Sequence, residues 1–159
     1  MRTSTLAIMS AVIGSVAVLA AADGHISDKQ IAAGIKARQS QMQLYSFNLG
    51  VLGAMAKEET PYEATAANAA ANNLMSLVSL SQAGYWLPGS DSDSVEGTRA
   101  LPAIWAADSK VGEKGKDFFD AVTAMQAAAG TDLGALQAAM GAVGKSCGGC
   151  HESYRKPRE

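Results

Sequence analysis

Only two cysteines and two histidines occur among the 159 residues of this chain. A structural zinc site takes about four such ligands, and the one histidine outside the group Cys147, Cys150 and His151 is His25, so zinc is set aside. Aromatic residues are sparse at 6%, while alanine and methionine are plentiful, a composition that suits packed helices better than a β-sandwich. No alternation of apolar and polar residues precedes the cysteines, which removes the strand that a thioredoxin-like C-x-x-C motif would follow. Neither sign of charge dominates, with 13 Lys and Arg against 15 Asp and Glu, and nothing in that balance points to nucleic acid. No acid–base pair and no nucleophile with an orienting partner stands out, so an enzyme is not indicated.

What is present starts at the N-terminus. Met1 to Ala22 carries one charge, Arg2, then an apolar run from Leu6 to Leu19, then Ala20-Ala21-Ala22, the layout of a secretory signal with an A-x-A cleavage site. The run is about 14 residues, short of the roughly 20 that a membrane span needs. Residues 1–22 are therefore expected to be removed, and residues 23–159 to form one exported domain with no stable membrane span. Near the other end stands Cys147-Gly148-Gly149-Cys150-His151. A C-x-x-C-H run supplies two thiols to bond the vinyl groups of a haem and an imidazole to bind its iron. Export of a c-type haem protein implies the bacterial periplasm.

Between these ends the apolar residues step by three and four. Ser27 with Gln30 makes a capping box and Ile26 with Ile31 a hydrophobic staple, which opens a first helix whose seam reads Ile31, Ile35, Met42, Tyr45, Leu49, Leu52 and Ala56, with Arg38 intruding. Thr60-Pro61-Tyr62-Glu63 reads as the start of a second helix running to about Ala83. Residues 84 to 101, rich in Gly, Pro, Ser and Asp, read as a long solvated loop. A third helix is expected from near Pro102 to Gly130, and Thr131 can cap a fourth with the seam Leu133, Leu136, Met140, Val143, Cys147, Cys150 and Tyr154. The expectation is an all-α, up-down-up-down antiparallel four-helix bundle.

At about 100° per residue, Cys147, Cys150 and His151 share an arc of roughly 100° on the fourth helix. All three address one face. The partner opposite His151 is open to the methionines, and at about 1.5 Å of rise per residue Met42 falls within one or two turns of the level of His151. Met75 lies near the same level; Met55 and Met125 fall too far away, and Met140 is on the histidine's own helix.

Four stretches carry a family resemblance: Arg38-Gln39-Ser40-Gln41-Met42, Gly53-Ala54-Met55-Ala56-Lys57 with Pro61-Tyr62, Pro102-Ala103-Ile104-Trp105, and Cys147 to Arg155. The chain resembles the class II c-type cytochromes, the cytochrome c-prime superfamily, over essentially all of its mature length. That resemblance implies one covalent haem c near the C-terminal end of the bundle and, often, a homodimer built through the first two helices. It also implies that the residue four places after the first-helix arginine lies over the distal face of the iron, usually Leu in gas-binding members and Met in low-spin ones. On this match Met42 is expected to be the axial ligand opposite His151, in a low-spin electron carrier serving periplasmic redox partners. Binding of nitric oxide or carbon monoxide at an open distal site is the alternative. Arg38, assisted by Gln39, is expected at a haem propionate. Lys145, Arg155, Lys156 and Arg158 form a candidate basic rim for an acidic partner.

Overall fold

The computed structural model describes residues 26–157; the expected signal peptide, His25 and Arg158 lie outside the described residues. Four helices follow in order, α1 Asp28–Ala56, α2 Ala64–Val78, α3 Val111–Ala128 and α4 Leu133–Tyr154, with a 3-10 turn at Pro102–Trp105 between α2 and α3. Each helix packs on its neighbour in sequence, and α1 closes the ring against α4. The fold is an all-α four-helix bundle. Among the described residues the only pairing outside helices is an isolated antiparallel bridge between Ala100 and Arg155, and no helix is long and apolar enough to cross a membrane.

The helix starts follow from local chemistry. Ser27 caps α1, its side chain accepting from the Gln30 backbone N–H while the Gln30 side chain answers the Ser27 N–H, so two of the orphan donors of the first turn are satisfied. In α4 the cap is Asp132, not Thr131; its carboxylate accepts from the Ala135 N–H at 2.8 Å, and a negative charge there also suits the helix dipole.

Two other starts differ from expectation. The N-terminal end of α2 is Ala64, because residues before it are tied back to the last turn of α1: Glu58 takes a positive φ of 60°, and the Glu59 and Thr60 N–H groups both donate to the Ala54 carbonyl. The second helix also stops at Val78, short of Ala83. Pro102 opens only the 3-10 turn, which ends when Ala106 turns to an extended ψ of 148°; α3 starts at Val111.

The core is made of Leu52 and Met55 from α1, Leu74 from α2, Val122 and Met125 from α3, and Leu136 and Val143 from α4, with buried alanines between them. Its centre lies toward the end of the bundle where α1 finishes and α4 begins. Tyr45 and Phe118 close the core at the other end, edge to face with centroids 5.1 Å apart.

Candidate functional site

The register between α1 and α4 settles which residues face each other. The Gln137 side chain donates to the Ala56 carbonyl, the Met140 methyl lies 3.6 Å from where a Cβ on Gly53 would stand, and Cys147 is near enough to Tyr45 to help raise its pKa. Each step up one helix is matched by a step down the other. Continuing from Tyr45 by one turn brings Met42 to the level of Cys150 and His151.

Burial changes along both helices at this level. On α4 Leu136, Ala139 and Val143 are buried, and at about 100° per residue Cys150 falls within the same angular sector, with Cys147 and then His151 displaced from it in one direction by about 60° and about 100°. Yet every residue from Ser146 to His151 is only half-buried. On α1 Met42 falls between Arg38 and Ile35 in angle, both buried, but is itself 41% exposed. The motif residues are thus covered less by protein than the α4 residues that precede them on the same face.

A recess of about 540 Å³ opens at the motif, lined by Gly148, His151 and Arg155 from the end of α4 and by Arg99 and Leu101 from the preceding loop. A larger open groove, about 710 Å³, runs along α1 and the approach to α2 past Phe47, Val51 and Pro61. Its one ionisable neighbour is Glu63, whereas the recess at the motif gathers His151, Glu152, Arg99 and Arg155.

The groups there are in the forms that covalent attachment and metal ligation need. Cys147 and Cys150 are free thiols. Burial pushes both thiols up, with Cys150 adding to the effect at Cys147, while Lys114 and Arg155 pull Cys150 back. Burial pushes the His151 imidazole down, helped by the positive charges of Arg155 and Arg99. The neutral imidazole is thereby favoured, and that is the form with a lone pair for a metal. Gly148 and Gly149 put no side chain between the two thiols; the Lys114 ammonium lies 3.6 Å from where a Cβ on Gly149 would stand. Half-buried thiols three residues apart with an imidazole beside them in one arc of α4, separated by glycines that add no side chain, fit a covalently held haem.

The remaining sequence candidates fall in two places. Met42 is brought level with His151, as described. Arg38 and Gln39 find their protein partners in the loop that follows α2. Arg38 is 3% exposed, and its two terminal nitrogens donate to the Tyr85 carbonyl and Ser90 hydroxyl and to the Ser90 carbonyl and Thr98 hydroxyl. Gln39 donates to the Gly97 carbonyl at 2.8 Å. Both side chains hold the loop between α2 and the 3-10 turn. That loop is correspondingly not the solvated connection its composition suggested: Ser90, Asp91 and Thr98 are buried. Sequence reading also passed over Lys114 and Arg99, which carry no local pattern and reach the motif only through the packing of α3 and the loop against α4.

Comparison with known proteins accounts for the motif and the bundle together. The family model described as Cytochrome C' matches residues 33–155. A cytochrome c-554 of Cereibacter sphaeroides is 46% identical over 128 residues, which is 80% of this chain and 96% of that protein. Among solved structures, a cytochrome c' from Rhodobacter sphaeroides superposes with a TM-score of 0.78 at 39% identity, covering 80% of this chain and 98% of its own. Cytochrome c prime from Alcaligenes xylosoxidans has been solved as nitric oxide and carbon monoxide complexes of variants of one leucine; both superpose with a TM-score of 0.70 at 34% identity, covering 80% of this chain and 97% of theirs. Sequence, fold and motif agree: this chain belongs to the cytochrome c' family, whose members carry one covalent haem c, and it has two cysteines with which to hold it.

Proposed function

We propose that this chain is a periplasmic monohaem cytochrome held through Cys147 and Cys150, with His151 as iron ligand, whose distal side at Met42 admits a diatomic gas. The bound haem would supply an iron that changes oxidation state by one electron and takes a gas molecule as ligand. Cys147 and Cys150 fix it to α4 through thioether bonds. His151, kept neutral by burial and by two neighbouring guanidinium groups, offers its lone pair.

The observation that carries the gas reading is Met42. It stands one turn beyond Arg38 at the level of His151, and an unbranched thioether is readily moved aside for a small ligand. A relative solved as nitric oxide and carbon monoxide complexes supports gas binding by this fold.

A second reading is favoured by the identity of residue 42. A thioether level with a neutral imidazole is a suitable partner for a His/Met ligand pair, and with both ligands retained the protein would be a low-spin electron carrier for a periplasmic redox partner. Optical spectra of the purified ferric and ferrous protein, with and without carbon monoxide, separate the two. The gas reading expects a high-spin ferrous spectrum and prompt, complete conversion by carbon monoxide. A low-spin spectrum untouched by carbon monoxide overturns it in favour of the electron carrier.

A further inference from the structure

We propose that Arg38 is a positioning residue: through the loop between α2 and α3 it sets the separation of α1 from the end of α4, and thus the space in which Met42 and His151 face each other. The inference rests on the assignment of Met42 and His151 to the two sides of the haem.

A buried guanidinium is costly unless its charge and donors are matched. Arg38 is matched almost entirely by one loop. Each terminal nitrogen carries two N–H groups, and the four acceptors are the Tyr85 carbonyl at 3.2 Å, the Ser90 hydroxyl at 2.7 Å, the Ser90 carbonyl, and the Thr98 hydroxyl at 2.8 Å. The guanidinium carbon lies 4.7 Å from the Trp86 ring centroid and 5.9 Å from that of Trp105, and the Trp105 indole N–H donates to the Trp86 carbonyl. Asp91 contributes the opposing charge. Backbone contact reinforces the joint one turn earlier, where a Cβ on Gly34 would stand only 2.8 Å from the Gly84 carbonyl oxygen. Gln39 adds its bond to Gly97.

The other end of the same loop is joined to α4 just past the histidine. The Ser92 N–H donates to the Ala100 carbonyl at 2.7 Å, closing the loop on itself. Leu101 N–H donates to the Tyr154 carbonyl at 3.0 Å and Lys156 N–H to the Arg99 carbonyl at 2.8 Å, around the Ala100–Arg155 bridge. The Tyr154 hydroxyl accepts from the Lys110 N–H at 2.8 Å. Hydrogen bonds joined by short backbone segments thus run from Arg38, one turn before Met42, to Tyr154 and Lys156, just past His151. The loop ties α1 to the end of α4 through hydrogen bonds separate from the side-chain packing of the two helices.

Arg38→Lys tests this, since it keeps the charge but loses the planar four-donor fork. Thr98→Val removes one acceptor and leaves the arginine in place, which keeps the test available if the first variant fails to accumulate. Hydrogen exchange, reduction potential and carbon monoxide affinity are measured on the intact haem-loaded proteins. In Arg38→Lys the amides of Ser92, Leu101 and Lys156 should exchange at least about tenfold faster while those of the α2–α3 core stay unchanged, and the potential and carbon monoxide affinity should both shift. Thr98→Val should move the same readouts in the same direction by less. Unchanged exchange at those three amides overturns the proposal. So does faster exchange with an unaltered potential, which would reduce Arg38 to a loop anchor. If the unsubstituted protein takes up no carbon monoxide, the gas reading fails by itself, and the potential still reports on positioning.

Discussion

Replacing Met42 by alanine and by leucine separates packing from function at the distal face. Burying a whole methionine side chain is worth about 1.5–3 kcal/mol. Met42 is not among the residues of the packed core, so truncation to alanine should cost no more than about 1.5 kcal/mol, and the nearly volume-conserving change to leucine less. A buried core side chain lost to alanine costs about 2–5 kcal/mol, so the two classes are resolved by chemical denaturation. The functional effect should run the other way. Because Met42 stands level with His151, both substitutions should alter carbon monoxide affinity by at least about tenfold, equivalent to about 1.4 kcal/mol, with alanine binding more tightly than leucine. If Met42 itself occupies the iron in the native protein, leucine will convert a low-spin spectrum to a high-spin one. The reasoning is refuted if either variant loses several kcal/mol of stability while its spectrum and carbon monoxide affinity match the native protein. That outcome would make Met42 an ordinary core residue.

Two further substitutions probe the framework. Leu52 is fully buried where α1 meets the core, about three turns from Met42, so Leu52→Ala should destabilise by about 2–5 kcal/mol with an unchanged haem spectrum; a shifted spectrum would show that core and site are not separable. Tyr45 has its pKa pushed up to about 12, chiefly by burial and then by Cys147 and Tyr85. A raised acid pKa keeps the native state protonated where the unfolded chain ionises, so its stabilising effect is complete below about pH 10 and is lost as pH rises toward 12. Denaturation of the native protein and of Tyr45→Phe across that interval should show a fall in stability that the variant reduces; parallel profiles would contradict the shift.

Much of the bundle was legible because short-range chemistry dictates it. The reciprocal bonds of Ser27 and Gln30 lie within one turn, and the seam of α4 repeats at a spacing that a helix alone explains. The motif was legible for the same reason: its three functional groups share one face whatever surrounds them. Misreadings arose where distant partners decide the outcome. Thr60-Pro61-Tyr62-Glu63 has the residues of a helix start, but Glu59 and Thr60 give their N–H groups to Ala54, the Tyr62 hydroxyl donates to the Ala129 carbonyl at 2.9 Å, and Glu63 directs its N–H to the Met55 sulphur. Residues 84 to 101 look like a solvated loop because nothing local shows that a guanidinium about 50 residues earlier will collect their polar groups. For Arg38 the inward placement could be read from the helix period, but its acceptors could not.

The central claim is that one haem is covalently held on α4 by Cys147 and Cys150 and ligated by His151. Intact mass of the purified exported protein, read beside that of Cys147→Ala, Cys150→Ala and the double variant, tests it most directly. The native protein should exceed its polypeptide mass by one haem, as denaturation-resistant colour, and the double variant should carry no covalently bound haem. A native mass equal to that of the bare chain, or a haem that stays covalently bound when both thiols are gone, would contradict the account.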